Sequence, residues 1–217
     1  MTDGDFTHRF IPGTDPSAPT LLLLHGTGGT EDDLLPLAGH LSPGSGVLSP
    51  RGKVTEQGMN RWFRRLAEGV FDREDIVARA GELAAFVGAA AHEHGFEPSR
   101  VVAVGFSNGA NIAAALLLLH PRVLRGAALF SSMLPLRPDT PPDLGHAGVF
   151  MSSGRVDPMA PPGQAEALAT LLTDAGAAVT LQWHDAGHRL GPEQLPPARD
   201  WLTKLATAMA GGSSTLP

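Results

Sequence analysis

Short, continuous apolar segments alternate with amphipathic segments along most of this chain, and that alternation is the feature that most restricts its fold. The segment 20–25 reads Thr-Leu-Leu-Leu-Leu-His, which is typical of a strand buried on both faces of a sheet. Segment 72–94 instead has apolar residues at helical spacing, which predicts an amphipathic helix. The other predicted strands are 47–49, 101–104, 127–130, 149–151 and 179–183, and the other predicted helices are 110–119, 164–174 and 197–209.

This alternation predicts an α/β protein with a mainly parallel sheet flanked by helices, because strand–helix–strand units connect parallel strands by right-handed crossovers. The 217 residues suit one domain, which we place at residues 1–210. The Gly- and Ser-containing segment 211–217 is expected to be a flexible tail. In parallel sheets, chemistry gathers in the loops at the carboxyl ends of the strands. Those loops are predicted to begin at His25, Pro50, Gly105, Ser131, Ser152 and His184.

Composition excludes several classes of function. The chain has no cysteine, so disulfides, thiolate metal sites and a cysteine nucleophile are ruled out. A net charge of −6 argues against a nucleic-acid or anionic-membrane partner. The most apolar stretch, 113–119, is far shorter than the roughly 20 residues of a membrane span. The acidic N-terminus does not resemble a signal peptide, and we therefore expect a cytoplasmic protein.

A nucleophile motif lies between a predicted strand and a predicted helix. Gly105-Phe-Ser-Asn-Gly109 fits G-x-S-x-G, in which the serine occupies a sharp strand-to-helix turn. The alternative is an ordinary glycine-rich turn. Ser107 is therefore the candidate nucleophile, and a serine hydroxyl needs a base that is held by a third group.

The base and the acid should follow the nucleophile, because the chain order for this turn is serine, acid, histidine. His188 is the favoured base, since it lies on the loop after the last predicted strand, and the adjacent His184 is the alternative. Asp157 is the favoured acid because it follows the strand 149–151 directly into a turn. Asp185 is its competitor, although it is close to His188 in sequence.

Two backbone N–H groups are needed to stabilise an oxyanion. One is predicted to be that of Asn108, at the free amino end of the helix that follows the nucleophile. The other is predicted to be that of Thr27, in the loop His25-Gly-Thr-Gly-Gly29 that follows the first buried strand. His25 itself is interpreted as a structural brace for this loop, with no role in proton transfer.

Four motifs carry a resemblance to the α/β-hydrolase family of carboxylesterases, lysophospholipases and acyl-protein thioesterases. They are His25-Gly-Thr-Gly, Gly105-Phe-Ser-Asn-Gly-Ala-Asn111, Gly154-Arg-Val-Asp-Pro158 and Ala186-Gly-His188. Segments within 50–72 also resemble a bacterial subset, some members of which are associated with defence against hydroquinones and similar aromatics. The resemblance implies a small-molecule ester substrate and no metal or cofactor. Family members often dimerise, so a homodimer is also an expectation.

The resemblance also bears on the substrate. The thioesterase branch commonly has Gln after the nucleophile, where this chain has Asn108. No large cap domain is expected, and the insertion 50–75 would be a short lid or one wall of the acyl pocket. Its aromatic residues Trp62 and Phe63, together with Met159 after a later strand, are predicted to line that pocket. The predicted function is a serine carboxylesterase for short- to medium-chain esters, acting through an acyl-enzyme at Ser107. Lysophospholipase or acyl-thioesterase activity is the alternative.

Rival functions fit the sequence less well. A dinucleotide-binding loop would need a glycine where Glu31 stands, and a phosphate-binding loop would need Ser or Thr where Val54 follows Lys53. His92 and His94 are two residues apart, so on a helix they point to different faces and do not form a metal pair. A non-catalytic binding module on the same fold remains the alternative from another class.

Overall fold

A seven-stranded sheet forms the centre of the protein in the computed structural model, which describes residues 6–67 and 69–211. The spatial order is β1-β3-β2-β8-β9-β10-β11. Only β1 pairs in antiparallel fashion, with β3, and every other neighbouring pair is parallel. The strands of the sheet are β1 (His8–Ile11), β2 (Thr20–Leu24), β3 (Gly46–Pro50), β8 (Val101–Phe106), β9 (Gly126–Phe130), β10 (Gly148–Gly154) and β11 (Ala178–His184).

Within residues 6–67 and 69–211, five α-helices cover the two faces of the sheet. They are α1 (Leu35–Leu41), α2 (Arg73–His94), α3 (Asn108–Leu119), α4 (Pro162–Asp174) and α5 (Leu195–Ala210). The buried side chains of α2, α3 and α4 join one apolar core, and those of α1 and α5 join a second core on the other face. This arrangement confirms the predicted mainly parallel sheet flanked by helices. No helix within the described residues is long and apolar enough to cross a membrane.

The segment between β3 and α2 forms two small hairpins. The first pairs β4 (Val54–Glu56) with β5 (Met59–Arg61), and the second pairs β6 (Arg65–Ala67) with β7 (Val70–Phe71). These hairpins, the edge strand β1 and the helix α1 were not predicted from sequence. Each is short, so its local pattern is weak. The predicted tail 211–217 lies outside the described residues apart from Gly211.

The order of the strands positions the functional loops. From β2 the chain passes to β3 on one side, and it returns through α2 to β8 on the other side. The direction of winding therefore changes between β2 and β8. In open α/β sheets, the crevice at such a switch point is where ligands bind, outside the carboxyl ends of the strands. The loop after β2 and the turn after β8 consequently lie side by side.

Candidate active site

Ser107 occupies a strained turn between β8 and α3. Its backbone has φ 53° and ψ −116°, a left-handed conformation that residues other than glycine rarely adopt. The turn is held by a hydrogen bond in which the Ser107 N–H donates to the Phe130 carbonyl at 2.9 Å. The strain is typical of a functional site, because surrounding contacts must maintain it. Ser107 thereby projects from the carboxyl edge of the sheet.

The two glycines of the motif allow this turn to pack closely. A Cβ at Gly109 would overlap the main-chain carbonyls of Leu24 and His25, on the neighbouring strand β2 and its loop. A Cβ at Gly105 would come within 2.6 Å of the Gly109 carbonyl oxygen. Only glycine permits such close approach of two backbones. The motif therefore sets the distance between α3 and the loop after β2.

The structure brings the candidate base and acid to Ser107. His188 Nε2 lies 2.8 Å from Ser107 Oγ, and His188 Nδ1 lies 2.7 Å from Asp157 Oδ2. The other oxygen of Asp157 accepts hydrogen bonds from the backbone N–H groups of Met159 and Ala160. With a proton on Nδ1, the imidazole donates to Asp157 and presents a lone pair to the Ser107 hydroxyl. This arrangement can accept the hydroxyl proton during nucleophilic attack.

The alternative acid and base lie elsewhere. The side chain of Asp185 is 96% exposed and lies 3.6 Å from Arg155. His184 ends β11, and neither of its ring nitrogens has a hydrogen-bond partner within the described part of the chain. The side chain of Asp157 is fully buried, so its carboxylate is shielded from water where it meets the imidazole.

The two predicted oxyanion donors stand at the same edge of the sheet. Asn108 is the first residue of α3, so its N–H has no carbonyl acceptor within the helix. Thr27 lies in the loop after β2, and both residues line the same small cavity as Ser107. Neither N–H donates to another backbone group in the part of the chain that the structure describes, so the pair could stabilise negative charge on a substrate oxygen.

The first hairpin holds the Thr27 loop in place. Arg61 Nη1 donates to Thr27 Oγ1 at 2.9 Å, and Asn60 Nδ2 donates to the Gly29 carbonyl at 2.9 Å. The Asn60 carbonyl in turn accepts from the Gly28 N–H at 2.8 Å. Sequence analysis did not identify Arg61 or Asn60, because nothing local indicates that the hairpin reaches this loop.

The buried side chain of His25 stabilises the same loop by two hydrogen bonds. His25 Nδ1 donates to the Gly26 carbonyl at 2.7 Å, and His25 Nε2 accepts from the Gly52 N–H at 3.0 Å. Nε2 can accept this bond only in the neutral imidazole, and burial lowers the pKa of His25. Nearby, Arg51 pairs with the buried Glu31, and this hydrogen bond lowers the pKa of the Glu31 carboxyl. These contacts agree with the interpretation of His25 as a structural residue.

The cavity beside Ser107 has a volume of about 60 Å³. Of the three residues predicted to line the acyl pocket, Met159 lines this cavity, and Trp62 and Phe63 do not. The lining residues are Thr27, Arg61, Arg65, Gly69, Phe71, Ser107, Asn108, Asn111, Ser131, Met133, Met159 and His188. Asn111 was missed, although its position one helical turn after Ser107 places it on the same face of α3.

Trp62 and Phe63 lie behind this lining rather than in it. Their exposed fractions are 2% and 0%, and both belong to the apolar core that contains α2 and α3. Trp62 donates its indole N–H to the His25 carbonyl at 2.8 Å. Phe63 contacts Phe71 edge to face, and it is Phe71 that reaches the cavity. The hairpins turn the two predicted wall residues inward, toward the helices.

The fold and the arrangement of Ser107, His188 and Asp157 are those of an α/β-hydrolase. Residues 7–206 match the Phospholipase/Carboxylesterase family. The chain therefore belongs to this family of carboxylesterase-type hydrolases, as the resemblance implied.

Individual relatives agree with this assignment. The chain is 45% identical over 194 residues to MhqD of Bacillus subtilis strain 168, described as a candidate hydrolase, and the match covers 89% of this chain and 96% of MhqD. It is also similar to a Bacillus cereus carboxylesterase, with 45% identity, a TM-score of 0.91 and coverage of 94% and 96% of the two chains. A carboxylesterase from Mesorhizobium loti has 33% identity, a TM-score of 0.86 and coverage of 94% and 97%.

Proposed function

We propose that this protein is a serine carboxylesterase that hydrolyses short- to medium-chain esters through an acyl-enzyme at Ser107. The observation that carries the proposal is the imidazole of His188, which contacts Ser107 Oγ through one nitrogen and buried Asp157 through the other, at 2.8 and 2.7 Å. A serine hydroxyl becomes an effective nucleophile when a base in this position removes its proton. The similarity to two carboxylesterases supports an ester as substrate.

The chemistry follows from the positions of these atoms. Ser107 Oγ attacks the ester carbonyl carbon while its proton passes to His188 Nε2. The negative charge that forms on the carbonyl oxygen is stabilised by the N–H groups of Thr27 and Asn108. His188 then protonates the departing alcohol, which leaves an acyl group on Ser107. A water molecule, deprotonated by His188, releases the acid, and Asp157 stabilises the charged imidazole at both stages.

The size of the cavity supports a short acyl group. Its volume of about 60 Å³ is far below the roughly 300–1,000 Å³ of pockets that enclose a larger organic ligand. Apolar side chains are also exposed on the second hairpin and on the loop after β10, two segments that contribute residues to the cavity lining. They are Leu66, Val70, Val156 and Met159. A medium chain could leave the cavity and lie against such side chains. A long-chain lysophospholipid would depend on them much more than on the cavity.

Labelling with a fluorophosphonate tests the proposal. We expect one phosphonyl group per chain by intact mass, and none in Ser107→Ala. Ser131→Ala is a matched control, because Ser131 lines the same cavity and also has a positive φ, of 52°, but is not within hydrogen-bonding distance of His188. Labelling that survives Ser107→Ala would overturn the assignment. A protein that is neither labelled nor active on p-nitrophenyl esters would favour the non-catalytic binding module.

The acyl preference is tested by a series of p-nitrophenyl esters of increasing acyl length. We expect kcat/KM to rise over the first few carbons, because each buried CH₂ contributes about 0.8 kcal/mol, and then to fall. A rise that continues through long acyl chains would replace this preference with the lysophospholipase alternative. Faster turnover of matched thioesters than of oxygen esters would favour the thioesterase alternative instead.

A further inference from the structure

A second cavity, of about 470 Å³, lies at the opposite edge of the sheet from Ser107. Its lining includes Arg100, which directly precedes β8, Arg125, which directly precedes β9, and His146, just before β10. These are the amino ends of parallel strands whose carboxyl ends carry the candidate active site. The cavity is therefore a separate feature of the molecule, within the size range of small-molecule sites.

Three arginines concentrate positive charge in this cavity. Arg100, Arg122 and Arg125 all line it, and none of the lining residues is acidic. Within residues 6–67 and 69–211, none of the three forms an ion pair, although most other arginines do. The nearby Glu97 is occupied in capping a turn through Ser99. The three positive charges repel one another. No carboxylate within 4 Å offsets this repulsion in the described residues, although the chain as a whole has a net charge of −6.

Two of the guanidinium groups also have buried donors that lack acceptors. Arg100 Nε and Arg125 Nη1 are buried and make no hydrogen bond within the described part of the chain. Burial removes water from the Arg125 guanidinium and thereby lowers its pKa. No carboxylate in the described residues forms an ion pair that would compensate. An unpaired buried donor destabilises a folded protein unless a ligand or solvent satisfies it. Within its described residues, the protein therefore leaves both guanidinium groups short of hydrogen-bond partners.

The arginines do not simply donate hydrogen bonds to the free carbonyl groups at the C-terminus of α5. Cationic side chains near a helix C-terminus often donate to its last carbonyls, and Ala208 and Met209 of α5 do line the cavity. However, the one hydrogen bond found for these three guanidinium groups in the described residues runs from Arg100 Nη2 to the Ser17 carbonyl. Within the described residues, Arg122 and Arg125 therefore donate no hydrogen bond to the last carbonyls of α5.

We propose that this cavity binds a small organic molecule that carries a phosphate group. Guanidinium groups suit phosphate because their planar forks match its oxygens and deliver charge-assisted hydrogen bonds, and three of them can surround a dianion. The apolar side chains of Leu124 and Met209 would contact the organic part. The proposal does not depend on the chemistry at Ser107.

Calorimetric titration at constant ionic strength tests the site with phenyl phosphate, inorganic phosphate and phenol as probes. We expect phenyl phosphate to bind one site per chain with a dissociation constant of about 1 mM or lower, and to bind more tightly than inorganic phosphate. Phenol, which lacks the charge, should not bind. Equal affinity for phenyl phosphate and inorganic phosphate would overturn the organic part of the proposal, and no binding by either would overturn all of it.

Variants locate the binding. Arg122→Gln should weaken phenyl phosphate about tenfold through loss of a charge-assisted contact, and exposed Arg122 can be replaced without disturbing the core. Arg199→Gln, which removes an exposed charge on α5 outside the cavity, should leave the affinity unchanged. Equal affinity in the parent and Arg122→Gln would overturn the proposal.

Discussion

Trp62 donates its indole N–H to the main-chain carbonyl of His25 at 2.8 Å, and this contact connects the first hairpin to the loop that carries Thr27. The Trp62 backbone N–H also donates to Asn108 Oδ1 at 2.8 Å. One residue thus contacts both segments that hold the proposed oxyanion donors. Because Trp62 is buried, its side chain supports these segments from behind instead of contacting an acyl chain.

Replacement of Trp62 by Phe should therefore reduce activity without changing substrate preference. The variant keeps an aromatic side chain, although a smaller one, and leaves the His25 carbonyl without its donor, a loss that costs about 1–3 kcal/mol. If it loosens the loop, kcat/KM should fall roughly tenfold for both p-nitrophenyl acetate and p-nitrophenyl hexanoate. The ratio of the two values should remain that of the parent.

Met159→Ala provides the comparison for Trp62→Phe. Met159 lines the cavity and is 52% exposed at its mouth, so its loss should lower activity on the hexanoate more than on the acetate. A shift of about fourfold in the ratio corresponds to one buried CH₂. If Trp62→Phe changed the ratio and Met159→Ala did not, the assignment of the two residues would have to be reversed.

Asp157→Asn should reduce kcat by about 10⁴ while the protein stays folded. The amide would donate to His188 Nδ1, which leaves the proton on Nε2 and removes the lone pair that faces Ser107. Asp185→Asn is the control, because this side chain is 96% exposed and should change kcat little. Steady-state hydrolysis measures kcat of both variants, and circular dichroism checks that they are folded. A larger loss of kcat in Asp185→Asn than in Asp157→Asn would show that the wrong carboxylate was chosen.

Gly109→Ala should destabilise the protein by at least 1–3 kcal/mol, about the cost of overpacking a filled site, because its Cβ would overlap the Leu24 carbonyl. Gly163→Ala is a matched substitution in α4, where a Cβ meets nothing within 4 Å. It should be neutral or stabilising, since alanine favours helix. Urea unfolding compares the two, and equal stabilities would contradict the close packing of α3 against the loop after β2.

His25 should make the stability of the protein sensitive to mild acid. Its folded pKa is lowered by burial, so the unfolded state binds more protons as the pH falls below the ordinary value of about 6.5. The free energy of unfolding should be fully retained above that pH and should decrease below it. In His25→Gln the decrease from about pH 7.5 to about pH 5.5 should be smaller. Urea titrations at the two pH values test this, and identical decreases in both proteins would contradict it.

The main elements of the sheet and the candidate nucleophile were predictable because their signals are local. The run of four leucines before His25 and the Gly105–Gly109 motif each specify a strand or a turn over a few residues. The chain order of serine, acid and histidine then directed attention to Asp157 and His188. The proximity of these two residues to Ser107 depends on strands β8, β10 and β11, whose parallel pairing is itself predicted by the alternation of strands and helices.

The lining of the cavity could not be predicted in the same way. The direction of each side chain in residues 51–72 depends on two hairpins, and their register is set by contacts with residues far away in sequence, as in the bond from Arg61 to Thr27. A shift of one residue would exchange the inward and outward faces of such a strand. The sequence by itself therefore determined the sheet and the types of group at its carboxyl edge. Only the tertiary structure decided that Phe71 reaches the cavity while Trp62 and Phe63 are buried behind it.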